Sequence, residues 1–92
     1  MNCETALGDI LRERISQDNK WGEQNHNLMI WLGILAEEFG ESAKVINDFH
    51  FGREAWIEDI RKELIQTAAV AVAMVEYIDR HSVKTLVEKE KV

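Results

Sequence analysis

The stretch Trp31–Asp48, WLGILAEEFGESAKVIND, combines a helical apolar pattern with three carboxylates inside five residues. Residues three and four positions apart share a face of a helix, so we expect Glu38 and Glu41 side by side, with Glu37 one turn before Glu41. Like charges in this arrangement repel one another and weaken the helix. A divalent cation would offset that repulsion, because Mg²⁺ prefers hard carboxylate oxygens as ligands.

The alternative interpretation is a solvated acidic face with no further function, which is the commoner situation on a surface helix. Here, however, the acids interrupt an apolar run, and a face exposed to water along its whole length is hard to build from such a pattern. The apolar neighbours are Ile34, Leu35, Ala36, Phe39, Ala43, Val45 and Ile46. The pattern therefore favours a site over surface charge.

Composition indicates a single helical domain. The chain has 92 residues, which is enough for one small domain, and we expect residues 1–92 to form it. Hydrophobic residues make up 46% of the chain, there is no proline, and only five residues are glycine. No segment shows the alternation typical of a strand, so the composition predicts an all-α fold.

Charge and cysteine content exclude several classes of partner and site. The net charge of −6 argues against a nucleic-acid polymer or an anionic membrane as the main partner. The single cysteine, Cys3, permits neither an internal disulfide nor a cysteine-based zinc site. No signal segment and no apolar run long enough to cross a bilayer is found, so we expect a cytoplasmic protein.

Apolar periodicity predicts three long helices and a short C-terminal one, over residues 4–17, 26–48, 54–80 and 83–90. A polar connector over residues 17–27 and a turn centred on Gly52 separate the long helices. We expect an antiparallel bundle. The second helix is apolar on more than one face, which is more than so small a chain can cover, so we expect oligomerisation to complete the core.

The register of the second and third helices brings acids together. Glu41 and Glu63 each lie eleven residues from Gly52, so an antiparallel pair places them at the same height. By the same count Glu38 lies opposite Gln66. Carboxylates that converge from two helices of a bundle are typical of a metal cage.

Two alternatives stay open for the acids of the third helix. Glu63 could instead form a salt bridge with Lys44 or Lys62. A second acidic pair further along, Glu76 and Asp79, is interpreted as surface charge that pairs with Arg80.

This pattern resembles the MazG-like family of all-α nucleoside triphosphate pyrophosphohydrolases. The family pattern is Glu-Glu-x-x-Glu on one helix and Glu-x-x-Asp on the next. Residues 37–41, EEFGE, match the first half, and residues 63–71, ELIQTAAVA, match the second in position and in their alanine-rich continuation. The connector over residues 21–26, WGEQNH, also resembles a segment that precedes the acidic helix in some members.

The resemblance implies an enzyme that cleaves a nucleoside triphosphate, ribo- or deoxyribo-, to the monophosphate and pyrophosphate. It implies Mg²⁺, or Mn²⁺, on Glu38, Glu41 and Glu63 with assistance from Gln66, and a water oriented or deprotonated by Glu37. Gln66 departs from the usual aspartate and adds no negative charge. The chain could therefore hold fewer or weaker ions, or could bind nucleotide without turnover.

For the substrate, the resemblance implies phosphate contacts from Lys20, Arg12 or Arg53 and an aromatic surface for the base on Trp21. Gln24 or Asn25 would contact the edge of the base. From the residues alone, the favoured interpretation is that Trp21 folds back onto the core as a plug. Family members assemble as dimers or larger oligomers, so we expect a homodimer or tetramer. Two alternatives stay open, namely a non-catalytic regulator that binds nucleotide or protein, and a plain helical oligomerisation module.

Overall fold

A computed structural model describes residues 2–91 of the chain as four helices and no strand within that range. The helices are α1 (Glu4–Trp21), α2 (Leu28–His50), α3 (Ile57–Asp79) and α4 (Val83–Glu90). The predicted fold class, three long helices and a short C-terminal one, is confirmed. The terminal residues of the expected domain, 1 and 92, lie outside the described residues, and the assignment of 1–92 to one domain stays a prediction.

The helix ends follow local capping chemistry. The side-chain oxygen of Asn27 accepts a hydrogen bond from the backbone N–H of Ile30, and the hydroxyl of Ser82 does the same for Thr85. The first helix is four residues longer than predicted and includes Trp21. It ends at Gly22, whose φ of 74° lies in the left-handed region that favours glycine.

The third helix lies between the other two long helices. The α1 helix is tied to α3 by ion pairs, with Arg14 Nε 2.6 Å from a carboxylate oxygen of Glu76 and Arg61 2.6 Å from Asp9. The α2 helix packs on α3 through a small core of buried side chains. That core consists of Trp31, Val70, Ala73 and Tyr77, with Leu28, Ile34, Leu35, Met74 and Leu86 packed against it.

Hydroxyl groups fix the register of α2 and α3 at the height of the acids. The side-chain oxygen of Thr67 lies 2.9 Å from the hydroxyl of buried Ser42 and 3.2 Å from the backbone carbonyl of Glu38. It also lies 2.8 Å from the carbonyl of Glu63 on its own helix. Thr67 of α3 therefore lies at the level of Glu38 and Ser42 of α2.

The turn between α2 and α3 contains Gly52 and exposed aromatic side chains. Gly52 adopts a φ of 72°, consistent with its role as the turn residue. Phe49 and Phe51, which flank the end of α2, are both exposed in the single chain. Phe49 lines a cavity of about 370 Å³ at the turn, together with Gly52, Arg53, Glu54, Ala55 and Trp56.

Within residues 2–91, none of the helices combines the length and apolar character that a bilayer crossing requires. The expected completion of the core by other copies of the chain stays a prediction. Many large apolar side chains of α1, α2 and α3 are nevertheless exposed in the single chain.

Candidate metal centre

Three carboxylates from two helices meet at the level of the Thr67 hydroxyl. Glu38 and Glu41 project from α2 and Glu63 from α3, and one oxygen of each lies within 4.8 Å of the others. The spacing of Glu38 and Glu41 on α2 and the antiparallel register with α3 together produce this cluster. Three carboxylate oxygens this close together can bind a hard divalent cation.

The acids of the cluster form no ion pair with a cationic side chain among the described residues. One side-chain oxygen of Glu38 and one of Glu63 are buried with no hydrogen-bond partner among the described residues. Burial, and then repulsion from Glu41 and Glu63, raises the pKa of Glu38. Burial, and then the charge of Glu41, raises the pKa of Glu63, although nearby Lys62 opposes this shift. A divalent cation fits this donor set, because it would supply the charge and the contacts that both buried oxygens lack.

The alternative salt bridges of Glu63 are not found among residues 2–91. Lys44 instead pairs with Asp48 on its own helix at 3.1 Å, and no ion pair joins Lys62 to Glu63. Asp48 also binds Arg53 at 3.2 Å, and these cations lower its pKa. The acid that lies nearly in line with Glu41 is thereby engaged elsewhere, and the cluster stays at three carboxylates.

A cavity opens beside the cluster and brings several predicted substrate residues to it. It has a volume of about 430 Å³ and is lined by Glu13, Ser16, Gln17, Lys20, Trp21, Glu38 and Gln66. Gln66 therefore shares a cavity with Glu38, as the helix register predicts. Lys20 is the one predicted phosphate-binding cation among the residues that line this cavity.

Trp21 lies at the end of α1 rather than in a loop, and its side chain is 62% exposed. It does not plug the core of the single chain. The amine of Lys20 lies 4.9 Å from the centre of its indole ring, within the range of a cation–π interaction. The exposed ring lines the cavity beside Glu38 together with Lys20.

A smaller neighbouring cavity of about 170 Å³ extends from Glu38 and Trp21 to Gln24 and Trp31. Trp31 is only 2% exposed, and its indole N–H has no acceptor among residues 2–91. Buried indole N–H groups usually have a partner. Sequence reasoning missed Trp31 as a polar group of the site, because its position in an apolar run indicated only packing.

Several predicted residues are not brought to the cluster. Arg12 pairs with Asp9, and Arg53 pairs with Asp48 at the turn. Asn25 accepts a hydrogen bond of 3.0 Å from Arg80, so its side chain links the connector to the end of α3. Glu37 is exposed on α2, outside the set of three carboxylates, although its charge still contributes to the raised pKa of Glu38.

The prediction that Glu76 pairs with Arg80 is wrong. Glu76 binds the buried guanidinium of Arg14 at 2.6 Å, whereas Arg80 pairs with Glu23 at 3.4 Å. Arg14 was missed because the sequence does not specify which face of α1 packs on α3. Arg14 and Asp18 pair at 3.0 Å. Their i, i+4 spacing was the only local sign in the sequence that Arg14 forms an ion pair.

No protein-family model matches this chain, and no curated protein or solved structure matches it. The resemblance to the MazG-like family therefore stays a prediction that rests on the sequence pattern. The geometry of the acidic cluster and its cavity stands independently of that resemblance.

Proposed function

We propose that this protein is a Mg²⁺-dependent nucleoside triphosphate pyrophosphohydrolase of the MazG-like type. The observation that carries the proposal is the pair of buried carboxylate oxygens, on Glu38 and Glu63, that have no partner and converge with Glu41 from two helices. Acids held this way in a small protein destabilise it unless a cation is bound. The reaction consumes one water and releases a nucleoside monophosphate and pyrophosphate.

Glu38, Glu41 and Glu63 would hold the cation, and the side-chain carbonyl of Gln66 would assist from the same cavity. When bound, Mg²⁺ or Mn²⁺ would neutralise triphosphate charge and lower the pKa of a water ligand. The site is small and acidic, so it excludes an anionic triphosphate until a cation is present.

The remaining roles fall to residues around the cavity. The amine of Lys20 would bind phosphate oxygens, since it is the cation that lines the cavity with Glu38. The exposed ring of Trp21 would stack on the base, and Gln24, in the adjoining cavity, would contact its edge. Glu37, exposed and close enough for its charge to act on Glu38, would orient the attacking water or accept its proton.

A second candidate function is a regulator that binds nucleotide, or another protein, without turnover. Gln66 favours it, because an amide carbonyl contributes no charge to the cation where an aspartate would. We also propose that the protein acts in the cytoplasm and as a homo-oligomer of two or four chains.

The test is ³¹P NMR of the common ribo- and deoxyribonucleoside triphosphates incubated with the protein, with and without Mg²⁺. We expect pyrophosphate and monophosphate from at least one nucleotide, and only with the cation. Glu38→Gln and Glu63→Gln should each lower the rate by at least about 100-fold, since even outer-shell partners of metal sites contribute 10–100-fold. The matched control is Glu54→Gln, an exposed acid outside the cluster.

Calorimetry on the same proteins separates the two candidates. Nucleotide binding without any product would support the regulator and remove the enzyme. A rate that is unchanged in Glu38→Gln and Glu63→Gln would remove the acidic cluster from the reaction.

A further inference from the structure

A narrow recess continues from the acidic cluster along α2. It has a volume of about 170 Å³, and its walls are Gln17, Trp21, Gln24, Trp31, Ile34, Glu38 and Val70. Trp31 and Glu38 are seven residues apart on α2, so they share one face of the helix and lie about 10.5 Å apart along its axis. A ligand that begins at Glu38 and fills the recess therefore ends at Trp31.

The recess is lined by a buried hydrogen-bond donor that has no acceptor. Trp31 is 2% exposed, and its indole N–H makes no hydrogen bond within residues 2–91. An indole N–H can donate but cannot accept, and a buried donor without a partner is costly and rare in folded proteins. The group that completes it is therefore an acceptor, such as a carbonyl oxygen or an unprotonated ring nitrogen.

A second donor of the recess is held in place by Arg14. The Nη1 atom of Arg14 donates a hydrogen bond of 3.0 Å to the side-chain oxygen of Gln17. Because a guanidinium has donors only, this contact fixes which end of the Gln17 amide faces Arg14. The amide nitrogen of Gln17 donates one hydrogen to Glu13 at 3.3 Å, and its other hydrogen remains available to a ligand. The recess thus favours a ligand that offers more than one acceptor.

The recess has the size of a single six-membered ring. An apolar protein cavity of about 150 Å³ holds one benzene molecule. A purine carries a second, fused ring, which a recess of about 170 Å³ does not accommodate. Its inner end resists widening, because Trp31 and Val70 belong to the buried core and overfilling a packed core is destabilising. Gln24 and Trp31 also line a separate cavity of about 420 Å³, so they form the partition behind the recess.

We propose that the recess binds the base of a pyrimidine nucleotide and that Trp31 is the residue that selects it. The indole N–H donates a hydrogen bond to a carbonyl oxygen of the ring, and the free amide hydrogen of Gln17 binds a second acceptor. Cytosine, uracil and thymine are single rings, and each carries a carbonyl oxygen. Arg14 is a positioning residue that acts through Gln17. The inference rests on the proposed function, because a triphosphate held at the acidic cluster is what directs the base into the recess.

The three tryptophans of the chain allow a direct test, because each gives one indole N–H signal in a ¹⁵N NMR spectrum. The ligands are the α,β-methylene analogues of cytidine, uridine, adenosine and guanosine triphosphates with Mg²⁺, which the proposed reaction cannot cleave. The pyrimidine analogues should bind about 10-fold or more tightly than the purine analogues, since a second ring overfills the recess. They should also move the Trp31 signal downfield and slow its exchange with water. The signal of Trp56, which is 72% exposed, should not move.

Trp31→Phe keeps an aromatic ring but removes the donor. It should lower the affinity for the pyrimidine analogues about 10-fold, the effect of one lost hydrogen bond, and reduce the preference over purines. Trp56→Phe is the matched control and should change neither. The spectra themselves use the wild-type chain, with Trp21→Phe and Trp56→Phe identifying the Trp31 signal by elimination, so the test survives if Trp31→Phe fails to fold.

The outcomes separate this inference from the proposed activity. Equal affinity for the two classes, or a Trp31 signal that a bound pyrimidine analogue leaves in place, would overturn the inference even if the protein hydrolyses triphosphates. Selective binding of the pyrimidine analogues without turnover of any natural triphosphate would support the inference and remove the enzyme. Binding of no nucleotide at all would overturn both.

Discussion

At the scale of single residues, Glu38 and Glu63 destabilise the cation-free fold. Burial and like charges raise both pKa values above the ordinary glutamate value of 4.5. A carboxyl group whose pKa is raised by folding contributes stability at pH values below its pKa in the unfolded chain. That contribution is lost as the pH rises through its raised pKa in the folded chain. Asp9 and Asp48 act in the opposite direction, because hydrogen bonds from Arg and Lys side chains lower their pKa values. Their stabilisation is present at neutral pH and is lost on acidification.

Replacing Glu38 by glutamine should therefore stabilise the cation-free protein at pH 7. We expect a gain in the free energy of unfolding of about 0.5 kcal/mol, the size of one like-charge pair on a helix, measured by urea denaturation in EDTA. Wild-type protein should in turn gain about 2.7 kcal/mol when Mg²⁺ reaches 100 times its dissociation constant, and Glu38→Gln should lose that gain.

Glu54→Gln serves as the control, because Glu54 is exposed and lies outside the cluster. It should leave both the cation-free stability and the response to Mg²⁺ unchanged. Destabilisation of the cation-free protein by Glu38→Gln would mean that the carboxylate has a structural partner rather than an unmet charge.

At the scale of helices, the short α4 fixes the start of α2 to the core. The carboxylate of Glu90 accepts one hydrogen bond of 2.7 Å from the backbone N–H of Leu28 and another of 2.7 Å from the hydroxyl of Tyr77. Tyr77 is fully buried, so its hydroxyl has no ready access to water. The C-terminal helix thus stabilises the end of α2 that carries Trp31.

Glu90→Ala should lower the free energy of unfolding by about 1–3 kcal/mol, because it leaves a buried hydroxyl and a helix N–H unsatisfied. Urea denaturation followed by circular dichroism measures the change. The matched control is Glu88→Ala, in the same helix and exposed. Equal effects of the two substitutions would show that the contacts of Glu90 contribute nothing specific.

At the scale of the whole molecule, apolar periodicity and the constant rise of a helix predicted the features that depend only on the short turn between α2 and α3. Glu41 and Glu63 are predicted at the same height along the two helices, because each lies eleven residues from Gly52. The same register places Glu38 and Gln66 opposite each other, and these two residues line one cavity. The length of α1 was underestimated, because the polar run before Trp21 resembles a loop even though it forms the exposed face of a helix.

The placement of α1 against α3 could not be predicted. Its rotation is set by contacts across 62 positions of sequence, such as the hydrogen bond from Arg14 to Glu76, which no local pattern encodes. Arg12 and Asn25, which were predicted to contact phosphate and base, instead bind Asp9 and Arg80. Lys20 lines the cavity beside Glu38 because it adjoins Trp21 at the end of α1.

Whether acids from α2 and α3 share one divalent ion can be measured by diffraction. Crystals grown with Mn²⁺ in place of Mg²⁺, with data collected at the manganese absorption edge, would locate the ion by its anomalous scattering. We predict an anomalous peak among Glu38, Glu41 and Glu63, where one oxygen of each already lies within 4.8 Å of the others. That peak should disappear in crystals of Glu63→Gln. Manganese bound only at other acids, or nowhere on the chain, would contradict the proposed metal centre.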